Sequence, residues 1–324
     1  MRVEVDIERI CEISPRVSSV VRGTKIDPFT NPEYYPPENA PTESTVMYFL
    51  VMVAMDHRLS RGERAYEANI NGRVYHGADL LYRLGMEMFS SKPEFFSASH
   101  LASITESEVR EWLTVRSGVR VIASPPDVGI RTMLLRDLGE KLIKLYSGSP
   151  MKLIKGSRGY LRRGVEGGLI DRLKVFAAYQ DPVEKKSFLL AKFLARRGAF
   201  AIKDDHNKEV PVDNHLMRIA LRLGIVRVDA NTLSRIERGE EVSEQEDIIL
   251  RFTARYAYKM LCRIGGIDPF VFDDFLWNFG RRLCTRTAPA CQTEKACFLS
   301  DACSAFGGEV PFVPEHNFTN TWWY

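Results

Sequence analysis

Four of the six cysteines fall within twenty residues of one another near the end of the 324-residue chain: Cys284, Cys291, Cys297 and Cys303, spaced Cys-x6-Cys-x5-Cys-x5-Cys. Cys11 and Cys262 stand apart. In a chain of intracellular character such a cluster is more often a metal site than a disulfide framework. Four thiolates in a compact loop can hold a [4Fe–4S] cluster or one tetrahedral zinc ion. Zinc sites usually pair their cysteines about two to four residues apart, and none of these gaps is that short. The spacing lowers zinc without excluding it, and leaves a [4Fe–4S] cluster and zinc as the two candidates.

Two further places carry groups that can do chemistry. Asp213 follows Val210-Pro211-Val212 and precedes the apolar-periodic run Leu216 to Gly224. That is where a helix N-cap belongs, and it is also where a carboxylate can be held to face positive charge developing on a substrate. Lys185 and Lys186 open another run, followed by Phe188, Leu189 and Leu190. A like charge beside an amine and an apolar wall around it both favour the neutral, nucleophilic form. The same residues, continued by Lys192, Arg196 and Arg197, would equally make a solvated basic face.

The stretch Phe272 to Cys284, ending Gly280-Arg281-Arg282-Leu283-Cys284, resembles the last helix of the helix-hairpin-helix DNA glycosylases of the endonuclease III and adenine-glycosylase branch. There a helix ends in Gly-Arg and a [4Fe–4S] loop begins with Cys-x6-Cys. The first and last gaps match that family, while the second is five residues here, Gln292 to Ala296, instead of two. Val212-Asp213-Asn214-His215, with Arg218 downstream, is similar to the segment carrying the family's catalytic aspartate. The resemblance implies Asp213 as catalytic acid and Lys186 as the lysine that forms a Schiff base in lyase members. It also implies the four cysteines as cluster ligands, with Lys185, His215, Arg281 and Arg282 contacting DNA. The family's phosphate-binding hairpin falls on Gln180 to Ser187, where Pro182 and Glu184 replace both glycines. Proline has no N–H to donate, and a glutamate repels phosphate. Archaeal 8-oxoguanine glycosylases, with an atypical hairpin, are similar in this respect.

Residues 37 to 226 also resemble the queuosine salvage proteins, nucleoside N-glycosidases with a glycosylase-like helical fold. The likeness runs through Gly72–Leu81, Leu134–Leu142, Lys185–Ala191 and Asp213. Both resemblances imply cleavage of an N-glycosidic bond. In one the substrate is a damaged base in duplex DNA, which needs basic contacts and base flipping; in the other it is a free modified nucleoside in a closed aromatic pocket. Tyr48, Phe49, Tyr75, Tyr82 and Trp277 are either core residues or walls of such a pocket. Asp56 and His57 are either a helix-end pair or part of it. A non-catalytic iron–sulfur module that binds nucleic acid is the third class. The first reading, a base-excision DNA N-glycosylase with possible lyase activity, is the one expected from the motifs.

The elements that must position these groups read as helices. Composition is that of a globular protein, 45% hydrophobic and 27% charged, and a net charge of +3 permits a nucleic-acid partner without demanding one. No apolar run reaches the roughly 18–20 residues of a membrane span, so a soluble, cytoplasmic monomer is expected. Three glutamines in this length match the depletion of thermolabile side chains in heat-adapted proteins. The fold expected is all-α with one small hairpin at Asn71-Gly72. The segments are a helix and proline-rich arm (1–45), a first helical lobe (46–130), a central lobe (131–265), the last helix and cysteine loop (266–310) and an aromatic tail (311–324). The first helix, Ile7 to Val21, is expected to break at Pro15. The C-terminal segments are expected to complete the first lobe, with Asp213 and Lys186 facing each other across a cleft, and the tail Trp322-Trp323-Tyr324 to pack on the body.

Overall fold

The computed structural model describes residues 1–59, 65–293 and 297–324. In chain order its helices are α1 (Ile7–Val21), α2 (Thr42–Met55), α3 (Ala78–Ser91), α4 (Ala98–Ser103), α5 (Glu106–Leu113), α6 (Val128–Tyr146) and α7 (Pro150–Gly156). They continue with α8 (Leu169–Leu173), α9 (Lys185–Arg196), α10 (Asn214–Leu223), α11 (Ala230–Glu237), α12 (Glu244–Gly265) and α13 (Pro269–Arg282). Six short strands form three antiparallel pairs: β1 (Val3–Val5) with β6 (Val226–Val228), β2 (Glu67–Ile70) with β3 (Arg73–His76), and β4 (Val115–Ser117) with β5 (Arg120–Ala123). The protein is mainly helical, as its sequence periodicity implies. Among the described residues no helix is long and apolar enough to cross a membrane.

The chain divides into two compact units, residues 1–26 with 208–320, and residues 27–207 with 321–324. The grouping cuts across the sequence-derived segments. The N-terminal helix belongs with the C-terminal half, and the helices between 131 and 207 belong with those of 46–130. The C-terminal segments expected to complete the first lobe instead fold with α1, whose Ile10, Ile13, Val17 and Val21 share one apolar cluster with Leu250, Ala254 and Leu261 of α12.

In the first unit, Asp6 caps α1 by accepting from the Arg9 amide at 2.9 Å, and the helix runs unbroken through Pro15. The expected interruption is absent because Pro15 and Cys11, the residue whose carbonyl loses its partner, both lie on the exposed face. Water can serve the orphaned oxygen there. Helices α10, α12 and α13 complete this core, and Tyr258 of α12 donates its hydroxyl to the Leu216 carbonyl at 2.7 Å.

The second unit is built around α2. Every residue from Thr45 to Met55 is buried, because the segment is apolar on all faces and can only be a central helix. Its N-cap is Pro41, without a side-chain cap, and Thr42, Glu43 and Ser44 lie inside the helix. The hairpin at Asn71-Gly72 forms as expected, both residues taking positive φ (53° and 82°). The tail returns to this unit: Trp322 Nε1 donates to Ala177 O at 3.3 Å and Tyr324 is buried. Helices α4 and α6 cross so closely that a Cβ built on Gly139 would stand 2.4 Å from the Ala102 backbone nitrogen and 2.6 Å from the Ala98 carbonyl oxygen. Backbone cannot yield as a flexible side chain would. Gly139→Ala should therefore cost about 1–3 kcal/mol, read by denaturant unfolding; an unchanged midpoint would contradict the close crossing.

Candidate active site and cysteine pocket

Helix α10 carries the candidate acid at one end and reaches the cysteines at the other. Asp213 is its N-cap, accepting from the Leu216 amide at 3.0 Å, so the carboxylate sits at the positive end of the helix dipole. His215 lies 3.7 Å from Asp213 through Nδ1 and 3.5 Å from Glu315 through Nε2, with its ring half exposed. Glu315 is buried and pairs with Arg218 and, at 3.3 Å, with Arg286.

Two arginines on α10, one turn apart, are almost wholly buried: Arg218 and Arg222 are each 1% exposed. Arg218 donates to the carbonyls of Gly280 (3.1 Å) and Cys284 (2.8 Å). Burial pushes its pKa down to about 10, against the pull of Cys284 and Asp213. Arg222 donates to the carbonyls of Val313 (2.9 Å), Thr285 (2.7 Å) and Arg286 (2.8 Å) and approaches Cys284 Sγ at 3.3 Å. Its own carbonyl accepts from the Cys303 thiol (3.2 Å) and the Ala305 amide (2.9 Å). The first and last cysteines are thus tied to one residue.

All four cysteines are free thiols, and all four line a single pocket with Ile219, Arg222, Leu223, Phe279, Leu283, Leu299 and Phe312. Burial raises the pKa of Cys291 and Cys303 and takes Cys297 up to about 11, and neighbouring thiols add to each. A cation is what would turn such thiols into thiolates. Among the described residues, no three cysteine, histidine or acidic side chains converge closely enough to hold a single metal ion. Of the unusual second gap, residues 294–296 lie outside the described residues.

Lys186 belongs to the second unit. It is fully buried, and its Nζ donates to Ala54 O at 2.6 Å and lies 3.3 Å from His57 Nδ1. Arg131, also fully buried, donates to the carbonyls of Met55 and His57. These two side chains close the carboxyl end of α2, where carbonyls lack helical partners. Desolvation first, and then Lys185, hold the Lys186 amine well below the ordinary lysine pKa. Lys185 is mostly buried, 3.9 Å from Asp56.

The hairpin before α9 departs from what its sequence suggests. Glu184 takes the left-handed conformation (φ 62°, ψ 27°) that a glycine would supply. It does not project as a free charge: it is buried and paired with Arg162 and, at 2.7 Å, with Lys174. The hairpin amides face inward. Val183 N and Lys185 N each donate to the Asp181 carboxylate at 3.0 Å, and Glu184 N donates to Asp181 O at 2.9 Å. A carboxylate of the chain sits where an external anion would bind.

Arg281 and Arg282 are exposed in the last turn of α13, Arg281 stacked 4.3 Å over the half-exposed Trp277 ring. Tyr48 and Phe49 are plain core. Sequence reasoning missed Asp181, Glu315, Arg131 and Arg222. Arg218 and Arg222 carried a signal, two arginines four apart on the apolar stripe of α10. Asp181, Glu315 and Arg131 carried none, since their partners are distant or are backbone atoms.

No family model matches the chain, and no curated protein does. Among solved structures it is similar to a thermostable thymine-DNA glycosylase, at 12% identity and a TM-score of 0.49, over 93% of this chain and 98% of that one.

The state of Lys186 can be read from stability. An unfolded lysine titrates near 10.4, and the folded protein holds this one lower, so the unfolded state binds more protons and stability rises with pH up to about 10. Lys186→Met should flatten that rise in the range below about pH 10, measured by urea unfolding. A slope equal to that of the native chain would mean that Lys186 is charged in place.

Proposed function

We propose that this protein is an N-glycosidase that hydrolyses the bond between a nucleobase and C1′ of its sugar, with Asp213 as the group that stabilises the reacting sugar. The base leaves with the bonding electron pair and takes up a proton from water. Positive charge develops on the sugar and is met by the Asp213 carboxylate. Hydroxide from the attacking water completes C1′. Support comes from the carboxylate's place at a helix N-terminus within Val212-Asp213-Asn214-His215, and from the cysteine pocket at the far end of the same helix.

The substrate favoured is a free nucleoside with a modified base, ahead of a damaged base in duplex DNA. The observation that carries this is the hairpin: its Val183, Glu184 and Lys185 amides are taken up by Asp181. A duplex phosphate would have to displace a carboxylate already bound there. Lyase chemistry through Lys186 is not part of the proposal, because that amine is buried and donates to Ala54 O.

The resident group proposed for Cys284, Cys291, Cys297 and Cys303 is a [4Fe–4S] cluster. The donor set suits it: four thiols line one pocket among Ile219, Leu223, Phe279, Leu283, Leu299 and Phe312. Around one tetrahedral zinc the sulfurs would approach to roughly 3.8 Å, whereas a cluster spreads its four thiolates over separate corners. When bound, it would pin the C-terminal loop and place a redox-active centre there, apart from the base chemistry.

Asp213→Asn isolates the charge, since asparagine caps helices as well as aspartate does. Base release should fall by about 100-fold or more with an unchanged melting midpoint; activity within a few-fold of the native rate would remove Asp213 from the mechanism. In the hairpin, Asp181→Ala with Glu184→Gly should create an affinity for duplex DNA that the native chain lacks, followed by fluorescence anisotropy. Tight duplex binding and base release by the native chain would restore the DNA reading.

A further inference from the structure

Within the second unit a cavity of about 450 Å³ opens between the end of α3, the turn Pro93–Phe96 and α5. Ligand pockets run from roughly 300 to 1,000 Å³. Its apolar wall includes Trp112 and Phe95, both buried, whose rings meet edge to face at 5.0 Å. Trp112 Nε1 donates to Leu84 O at 3.1 Å, which locks the indole and leaves the cavity only its ring surface. The polar wall is mostly of one sign. Glu94 and Glu111 are exposed and make neither ion pair nor side-chain hydrogen bond among the described residues. Glu108 accepts through Oε2 from the Thr105 hydroxyl (2.6 Å) and amide (2.8 Å), which hold its pKa below the ordinary carboxylate range. Its other oxygen, Oε1, lies 3.7 Å from His100 Nε2, a distance too long for a hydrogen bond. That ring nitrogen is buried and has no hydrogen-bond partner among the described residues. Glu87 is answered by Arg83 at 2.8 Å. Three carboxylates therefore remain with Lys92 alone against them, beside aromatic ring surface.

We propose that this cavity binds a linear aliphatic polyamine, its ammonium groups against Glu94, Glu108 and Glu111 and its methylenes along Trp112 and Phe95. The two kinds of wall select that chemistry together. A carboxylate without a partner is met best by a donor that carries positive charge. Aromatic rings attract an ammonium electrostatically and bury the methylenes beside it. A metal ion would use the acids and gain nothing from the rings. A ligand with one ammonium would leave two of the three acids as they are. A polyamine alternates charge and methylene along one flexible chain, so it satisfies both walls at once. The assignment does not rest on the N-glycosidase reading.

Calorimetric titration of the full chain with spermidine, at an ionic strength of about 0.15 M, tests it. One spermidine should bind per chain, and butylamine, with a single charge, should bind at least about tenfold more weakly. Glu94→Gln combined with Glu111→Gln, both at exposed positions, should weaken spermidine by about tenfold or more with a native melting midpoint. Absence of spermidine binding, or a double variant that binds it like the native chain, would overturn the assignment. So would displacement of spermidine by magnesium at equal charge concentration, which would reduce the site to a screened patch of acids. Nα-acetyl-lysine amide bound as tightly as spermidine would overturn it in favour of a lysine side chain from another protein.

Discussion

Two guanidinium groups buried on one short helix fix what surrounds them. A buried arginine needs partners for its donors; Arg222 finds them in the carbonyls of Val313, Thr285 and Arg286, and Arg218 in those of Gly280 and Cys284 and in the Glu315 carboxylate. The C-terminal loop therefore takes its course because those carbonyls must reach α10. Removing either cation would leave several buried acceptors unpaired, and removing Arg218 would also take a partner from the buried Glu315, a loss of roughly 3–5 kcal/mol for a broken buried pair. The same helix presents Asp213 at its other end, so the requirements of the loop and the placement of the acid are met by one rigid element.

The second unit solves a similar problem at the end of α2. An all-apolar helix buries its own terminus, and carbonyls there have neither helical partners nor water. Lys186 and Arg131 supply the donors. That role explains a buried amine without invoking covalent catalysis, and it leaves Lys185, one residue earlier, as the lysine that meets an acid, Asp56. The hairpin shows the same economy: Asp181 satisfies amides that an external anion would otherwise claim.

Periodicity and punctuation carried most of the helices. The all-round apolar run of α2, the Asn71-Gly72 turn and the Asp213 cap were legible because each depends on residues adjacent in sequence. The division into units was not, since it rests on α1 meeting α12 more than two hundred residues away. Pro15 misled because the carbonyl it orphans, that of Cys11, lies on the exposed face where water can serve it. Glu184 misled because a charged side chain was read by its sign, while its partners, Arg162 and Lys174, could be known only from the fold. The cysteines were legible as a cluster from spacing, while the tie of the first and last of them to Arg222 follows from no spacing rule.

The central claim is that the protein releases a base from a nucleoside that is not held in a duplex. The most direct test is to incubate it with the nucleosides from a complete enzymatic digest of cellular RNA and DNA, beside intact duplexes carrying damaged bases, and follow both by mass spectrometry. The account requires that one modified nucleoside disappears from the digest while its free base and sugar appear in equal amounts, with the duplexes untouched. An unchanged digest beside a duplex that loses its damaged base would contradict it.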